Sequence, residues 1–587
     1  MDFKTTLVAK TKKAISDLYS IDDFSIDFEK TNPNFSGDVT LVVFPLLLYS
    51  KKGPEETANE IGAYIKKELD QIYDFNVVKG FLNIELTDSY WLDILKKNID
   101  IGVQIPNIGA NQKVVVEYSS PNTNKPLHLG HIRNNVLGYS ICKIYESAGY
   151  EVIKNNLVND RGIHICKSMY AYLRFGNHET PESSGVKGDH LVGKYYVEFD
   201  KNYQKEVQEL VDKGMDSDEA KENAPSMVAT REMLKKWENG DPETLSIWKV
   251  MNAWVYEGFD ETYRRLGVSF DKIYYESDTY LLGKKIVQEG LERGVFFRKP
   301  DQSIWIDLTE DGLDEKIVQR SDGTSVYITQ DIGTADLKYS EFSMDKFIYV
   351  VGNEQDYHFK VLQRILKRLN KPYADGLYHL SYGMVDLPEG KMKSREGTVV
   401  DADELIAEVV STAKKQTEEL GKTEGMNTDE LTELYETLGL GALKYYLLKV
   451  DAKKRMLYNP SESIDFQGNT APFIQYTYTR IASLLRAADQ IKFEYPSLLH
   501  PTEKDLIKNM HAYPESVLAS IRSNNPSEVA NSVYEIAKGF NKFYHEISIL
   551  GEDDSNTRFF RIALSDMVGK TLKHGFSLLG IEMPMRM

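Results

Sequence analysis

The sequence predicts a multidomain α/β protein built around a doubly wound parallel sheet, with a small α+β unit before it and an all-helical region after it. Three observations predict this. A strand–helix–strand pattern runs through residues 113–158. Strand-like runs resume beyond residue 302, after a long charged stretch. From about residue 402 the apolar spacing is helical through to Met587.

Residues 1–105 make the N-terminal unit. In "FKTTLVAKTKKAISDLY" Phe3, Leu7, Ile15 and Leu18 fall near helical spacing, and Ile61, Ile65 and Leu69 do the same in "EETANEIGAYIKKEL". "VVKGFLNIEL" alternates as a strand does, with Gly80 at its start, and Asn107–Gln112 is a loop-like boundary. The central domain spans 106–401. It opens on "KVVVEYSS", a β-branched run of the kind buried on both faces. From His131 onward Leu137, Ile141, Ile144 and Ala148 recur three or four apart, and Gly149 stops the helix. "YEVIKNNLVND" is the second strand, so the unit opens a Rossmann-type fold. Residues from about 175 to 290 are charged and mostly helical, an insertion within it. "QSIWIDL", "SVYIT" and "KFIYVVGNEQDYH" bring the strands back. Residues 402–458 form a helical connecting segment and 459–587 a helical domain, in which Leu564, Val568, Leu572 and Phe576 step by four.

Composition narrows the class. With 587 residues, 41% hydrophobic and 27% charged, the chain is a soluble, well-cored protein of several domains. Its longest apolar stretch, Leu41–Tyr49, is broken by Pro45 and is too short to span a bilayer. The lysine-rich N-terminus has no h-region. Cys142 and Cys166 are too few for a disulfide framework or an all-cysteine zinc cluster. These features predict a cytoplasmic protein with no membrane partner. The net charge of −18 argues against a broad nucleic-acid-binding surface. A local basic groove stays open, because phosphate attraction acts within a Debye length of ~8 Å.

Chemistry concentrates in two motifs. "NTNKPLHLGH" sits where the first strand gives way to a helix. A helix N-terminus offers unpaired N–H groups and a partial positive charge to phosphate oxygens. Gly130 removes a side chain where a nucleotide approaches the backbone, and His128 and His131 add donors for charge building on a phosphate. An isolated H-x-x-H is more often a pair of surface histidines, but the strand-to-helix context is that of a phosphate site. Far downstream, "PEGKMKSREGTVVD" crowds Lys391, Lys393 and Arg395 onto a glycine-flanked segment suited to neutralising a departing pyrophosphate.

Together, H-x-G-H and K-M-x-S resemble the paired signatures of class I aminoacyl-tRNA synthetases. Within that class "VEYSSPNTNKPLHLGHIRNNVLG" is similar to the arginyl enzymes, through Glu117, Ser119, Ser120, Pro121, Asn122, Lys125, Pro126, His128, Gly130 and His131. "RLGVSFD", "SDGTSVYITQDIG", "FIQYTYTR" and "LLGIEMPMRM" carry the resemblance through the rest of the chain, and "GFLNIEL" and "GDVTLVVFPLL" look like the family's additional N-terminal domain.

The resemblance implies activation of L-arginine with ATP, then transfer to the 3′-terminal adenosine of its tRNA. It implies catalytic roles for Lys125, His128, His131 and Lys391. ATP contacts fall at His128, Leu129, Gly130, His131, Lys391, Met392, Lys393 and Ser394. Arginine contacts fall at Glu117, Ser119, Asn122, Tyr327, Asp331 and Gln355, the two acids gripping a planar guanidinium in fork geometry. Mg²⁺ rides on the ATP phosphates rather than in a protein cage, with no tightly bound metal or organic cofactor. The helical C-terminal domain binds the anticodon by resemblance. On its helix Ile474, Ile481, Leu485 and Ala488 mark a core stripe, leaving Tyr476 and Arg480 off it for unpaired bases. The N-terminal domain touches the tRNA elbow by analogy, and a monomer is expected.

Two departures stand out. Ser394 replaces the second lysine of the class pattern K-M-S-K-S, a change for which Lys125 compensates in relatives, and Gln330 stands where many relatives carry arginine. Competing readings are a small-substrate nucleotidyltransferase using H-x-G-H, a tRNA-binding scaffold without activity, and a glutamyl, cysteinyl or lysyl relative. The first leaves both flanking domains without purpose. The intact histidines, Lys391, Glu117 and Asp331 speak against the second.

Overall fold

The computed structural model describes residues 3–21, 24–32, 34–386, 400–421 and 425–587. The chain divides into two compact units, one comprising Met1–Gln104, Leu484–Ala512 and Lys538–Val568, the other Ile105–Ser483, Tyr513–Ala537 and Gly569–Met587.

In the first unit an antiparallel sheet of four strands, ordered Phe28–Lys30, Val39–Val42, Phe81–Leu86 and Ile72–Val78, packs with helices Phe3–Tyr19 and Pro54–Glu68. Leu7, Ile15, Ile61 and Ile65 are buried as their spacing predicts, whereas Leu18 at the end of its helix is 39% exposed. Val77 and Val78 belong to the preceding strand. Lys79 and Gly80, at φ 50° and 87°, make the tight turn of a hairpin.

The second unit is built on five parallel strands, ordered Leu377–Tyr382, Lys346–Gly352, Lys113–Glu117, Glu151–Val158 and Lys272–Tyr275. Val114, Val115 and Val116 are fully buried, which explains why this strand reads as an unbroken apolar run. Helix Leu129–Ser147 lies close against the sheet because Gly138 has no side chain. A Cβ there would come within 2.4 Å of Tyr118. Helices Gly188–Asp212, Ser217–Asn223, Pro225–Glu238 and Pro242–Leu266 form the charged excursion. Lys272–Tyr275, inside the stretch read as insertion, is instead the edge strand of the sheet. Its four residues carry no apolar run long enough to signal it.

Beyond residue 400 the chain is helical but not continuously so. A two-residue strand, Met456–Leu457, pairs in parallel with Val385–Asp386, and residues 488–500 are irregular. Leu564, Val568, Leu572 and Phe576 are all buried. Among the described residues no helix is long and apolar enough to cross a membrane.

Candidate active site

Strand order reverses between Lys113–Glu117 and Lys346–Gly352. At such a switch point a doubly wound sheet opens a crevice beyond its carboxyl ends. The chain leaves Glu117 through Ser119 and Ser120, both in the left-handed region at φ 75° and 46°. That turn is pinned from several sides. Ser119 N–H donates to Asn134 Oδ1 at 2.6 Å, and Ser120 N–H donates to Asn156 Oδ1 at 3.0 Å. Ser119 Oγ lies 2.7 Å from the Tyr263 hydroxyl. Asn134 Nδ2 also donates to Val350 O at 2.7 Å, so one amide spans both strands of the crevice. Strain held this firmly is typical of functional turns.

His128 is the N-cap of helix Leu129–Ser147. Its Nδ1 accepts from Gly130 N–H at 3.1 Å, and the His131 Nδ1 accepts from His128 N–H at 3.2 Å. Each imidazole therefore carries its proton on Nε2, and the tautomer is set by the backbone. Burial, then the nearby Lys125, pushes His128 down to about 3, and burial, His128 and Lys125 hold His131 well below the ordinary imidazole value. Both rings are neutral N–H donors at physiological pH. The room Gly130 leaves is taken by His128, whose Cε1 would lie 3.0 Å from a Cβ there. The expected result in the ligand-free protein is that the His128 and His131 ring resonances stay still between pH 5 and 8 in an NMR titration. Lys125 is half-buried and has no carboxylate partner among the described residues. Burial alone lowers its affinity for a proton.

Lys391, Met392, Lys393 and Ser394 lie outside the described residues. The chain resumes against the histidine turn: Leu129 N–H donates to Val400 O at 3.3 Å, His128 and Asp401 form an antiparallel bridge, and Ala402 N–H donates to Leu127 O at 3.0 Å.

The acids are placed less symmetrically than the sequence suggests. Glu117, at the end of its strand, is buried in an ion pair with Lys338, itself 0% exposed. Asp331, on helix Tyr327–Phe342, shares a 2.6 Å contact with His358 Nε2. The Tyr349 hydroxyl is buried with no partner among the described residues. Burial, then the Glu117 and Asp331 carboxylates, drives it well above its usual value. Glu276 feels the negative charge of Asp331. Burial foremost, then the Asp331 charge, pushes it up to about 7 against a hydrogen bond from Gln330. A cleft of about 790 Å³ opens beside Glu276, its walls also including Asn122, Lys125, Asn159, Tyr327 and Gln330. Tyr327 is 77% exposed, and Gln355 is exposed on the turn Asn353–Gln355. Of the residues singled out from the sequence, Asn122, Lys125 and Tyr327 line this cleft, whereas Glu117, Ser119, Asp331, Gln355 and the two histidines do not.

A model of the class I tRNA synthetase (R) catalytic domain matches residues 94–459, and one of the DALR anticodon-binding domain matches 474–587. The chain belongs to the class I arginyl-tRNA synthetase family. It is 52% identical to the arginine–tRNA ligase of Flavobacterium psychrophilum and 53% identical to that of Bacteroides fragilis, with both chains covered in full in each comparison. Its fold matches the arginyl-tRNA synthetase structure from Thermus thermophilus at a TM-score of 0.82 and 22% identity, again covering both chains fully.

For a member of the arginyl-tRNA synthetase family, Glu276, Lys338 and His358 were not evident from sequence. The available signal for Glu276 is its place directly after a sheet strand, visible only once Lys272–Tyr275 is recognised as one. In the DALR region the buried stripe of helix Ala471–Ala487 runs through Ile474, Ile481 and Leu484. Leu485 is only half-buried and Ala488 lies past the helix end. Tyr476 and Arg480 are half-buried, with the guanidinium 4.9 Å from the Tyr476 ring centre.

Proposed function

We propose that this chain charges tRNA with arginine in two steps. The arginine carboxylate attacks the α-phosphate of ATP and pyrophosphate leaves. A ribose hydroxyl of the tRNA's terminal adenosine, the 2′-OH by resemblance, then takes the arginyl group. The observation that carries this reading is the pair of backbone-locked, neutral imidazoles at the switch-point crevice beside an uncompensated lysine. Nε2–H groups of His128 and His131 donate to the phosphoryl oxygens as charge builds there, and Lys125 and Lys391 draw off the leaving group. Leu129, Gly130, Met392, Lys393 and Ser394 complete the ATP contacts.

Arginine lies with its guanidinium toward Asp331, Glu276 and Tyr327. Glu117 enters the site with its charge already balanced by the fully buried Lys338, which leaves Asp331, whose neighbour is His358, and Glu276 as the acids open to a cation. Ser119, Asn122 and Gln355 serve the amino and carboxylate end. Mg²⁺ supplies charge neutralisation on the ATP phosphates. The one cluster of metal-ligating side chains among the described residues, Asp189, His190 and Asp403, suits no cation, because Lys187 Nζ already sits 2.6 Å from Asp403 and 3.4 Å from Asp189.

Tyr476 and Arg480 are proposed tRNA contacts, and the working form is a cytoplasmic monomer. The test is to offer each of the twenty amino acids in turn with ATP and unfractionated tRNA. Arginine alone is expected to be attached, and ATP–pyrophosphate exchange is expected to need tRNA. Attachment of another amino acid, or adenylylation of a different acceptor, overturns the reading.

A further inference from the structure

Arg133, one residue past the histidine turn's Ile132, is completely buried. Among the described residues it has no carboxylate within hydrogen-bond reach. Its Nη1 donates to Gly383 O at 2.7 Å and to Met384 O at 3.4 Å. Its Nη2 donates to Ala452 O and Lys454 O, each at 3.0 Å. Burial pushes the guanidinium down to about 10, which leaves it charged at neutral pH. A cation held by carbonyls alone is costly to bury, so its return is sought in geometry rather than in stability.

The carbonyls it holds are informative. Gly383 and Met384 lead directly into Val385–Asp386, the last described residues before the segment that carries Lys391. The second pair belongs to the turn on which that strand rests: Gly383 N–H donates to Ala452 O at 2.9 Å, and Met456 N–H donates to Met384 O at 3.0 Å. The approach is close enough that a Cβ at Gly383 would fall 2.6 Å from Arg455 N. On the far side, Val400–Ala402 is bonded to Leu127–Leu129. Both flanks of residues 387–399 are therefore tied to one stretch of chain, 127–133, which also carries both histidines. Among the described residues the far flank is hydrogen-bonded through the backbone and the near flank through the Arg133 side chain.

We propose that Arg133 is a positioning residue for amino-acid activation, setting the register between the histidine turn and the strand that leads to Lys391 through the Gly383 and Met384 carbonyls. The proposal rests on the adenylate-forming reading above. It predicts a defect confined to the first step, because transfer from a finished adenylate releases no pyrophosphate and makes no demand on this register.

The experiment compares Arg133→Lys and Arg133→Gln with the unaltered protein, and adds Gly383→Ala, which keeps the guanidinium but displaces the carbonyl it grips. ATP–pyrophosphate exchange is measured with arginine and tRNA. Transfer is measured from chemically prepared arginyl-adenylate to tRNA, and arginine affinity is measured by calorimetry. Exchange kcat is expected to fall on the order of 10²-fold in all three variants, the cost of an ångström-scale misplacement. Transfer and arginine affinity should stay within about twofold of the unaltered protein. A lysine in place of Arg133 is expected not to rescue, since one ammonium cannot span both carbonyl pairs. Exchange within about threefold of normal in Arg133→Lys and Gly383→Ala overturns the inference. So does a parallel fall in exchange and transfer, which marks general damage. If the unaltered protein shows no arginine-dependent exchange with tRNA present, the activation reading itself fails, and this result is separate from the others.

Discussion

Replacing His131 with alanine is expected to slow tRNA-dependent ATP–pyrophosphate exchange roughly 10²–10³-fold, the usual cost of removing one preorganised donor to developing charge, about 3–4 kcal/mol of transition-state stabilisation. The His131 ring is neutral and its Nδ1 is already occupied by the His128 N–H, so its chemical contribution is confined to the Nε2–H group. The loss should appear in kcat and kcat/KM together, the sign of an interaction made in the transition state. Arginine affinity should be unchanged. Exchange that survives intact in His131→Ala would remove the imidazoles from the mechanism. A loss confined to KM for ATP would make them ground-state binders only.

Glu276→Gln and Asp331→Asn are each expected to weaken arginine binding about 10²-fold or more, since removing one partner of a desolvated charge pair costs roughly 2–5 kcal/mol. ATP binding should change little. A pH signature separates Glu276 from a passive wall residue. Its pKa is raised to about 7 in the ligand-free protein, so below that pH it holds a proton that a guanidinium must displace. Arginine affinity should therefore climb as pH rises toward 7 and level off above it. Calorimetry near pH 6.5 in buffers of different ionisation enthalpy should register proton release (about a fraction of a proton). In Glu276→Gln both the slope and the release should vanish. Should affinity be pH-independent and Glu276→Gln bind normally, the second acid of the fork would be Glu117 after all. Glu117→Gln carries a different expectation: it strands the fully buried Lys338 and should destabilise the fold by roughly 3–5 kcal/mol.

The parts legible in the sequence are those whose signal is local. The β-branched run 113–117 and the helical spacing from Leu137 to Ile144 fix the first crossover, and the histidines fall at its turn because capping chemistry is written in neighbouring residues. The stripe through Leu564 and Phe576 is equally readable, being one buried face repeated over several turns. What escaped depends on partners distant in the chain. Glu117 alone gives no hint that Lys338 balances it, and that pairing changes which acids are left for a cation. Nothing in the local sequence marks Arg133 as buried; that follows only from the carbonyls at 383 and 452 being brought to it. The strand at 272–275 is short, and with it went Glu276. On helix Ala471–Ala487 a one-residue drift of the buried face moved the core from Leu485 to Leu484, within the slack of the 3.6-residue period.

The strand order has a consequence for how the protein is made. Lys113–Glu117 gains one neighbour early, from Glu151–Val158, but its other neighbour, Lys346–Gly352, is synthesised far later. During that interval on the ribosome the valine-rich strand is an open edge with unpaired amides, the kind of template on which chains aggregate. That edge closes only once Lys346–Gly352 has left the ribosome and paired with it, after the whole helical excursion has been made.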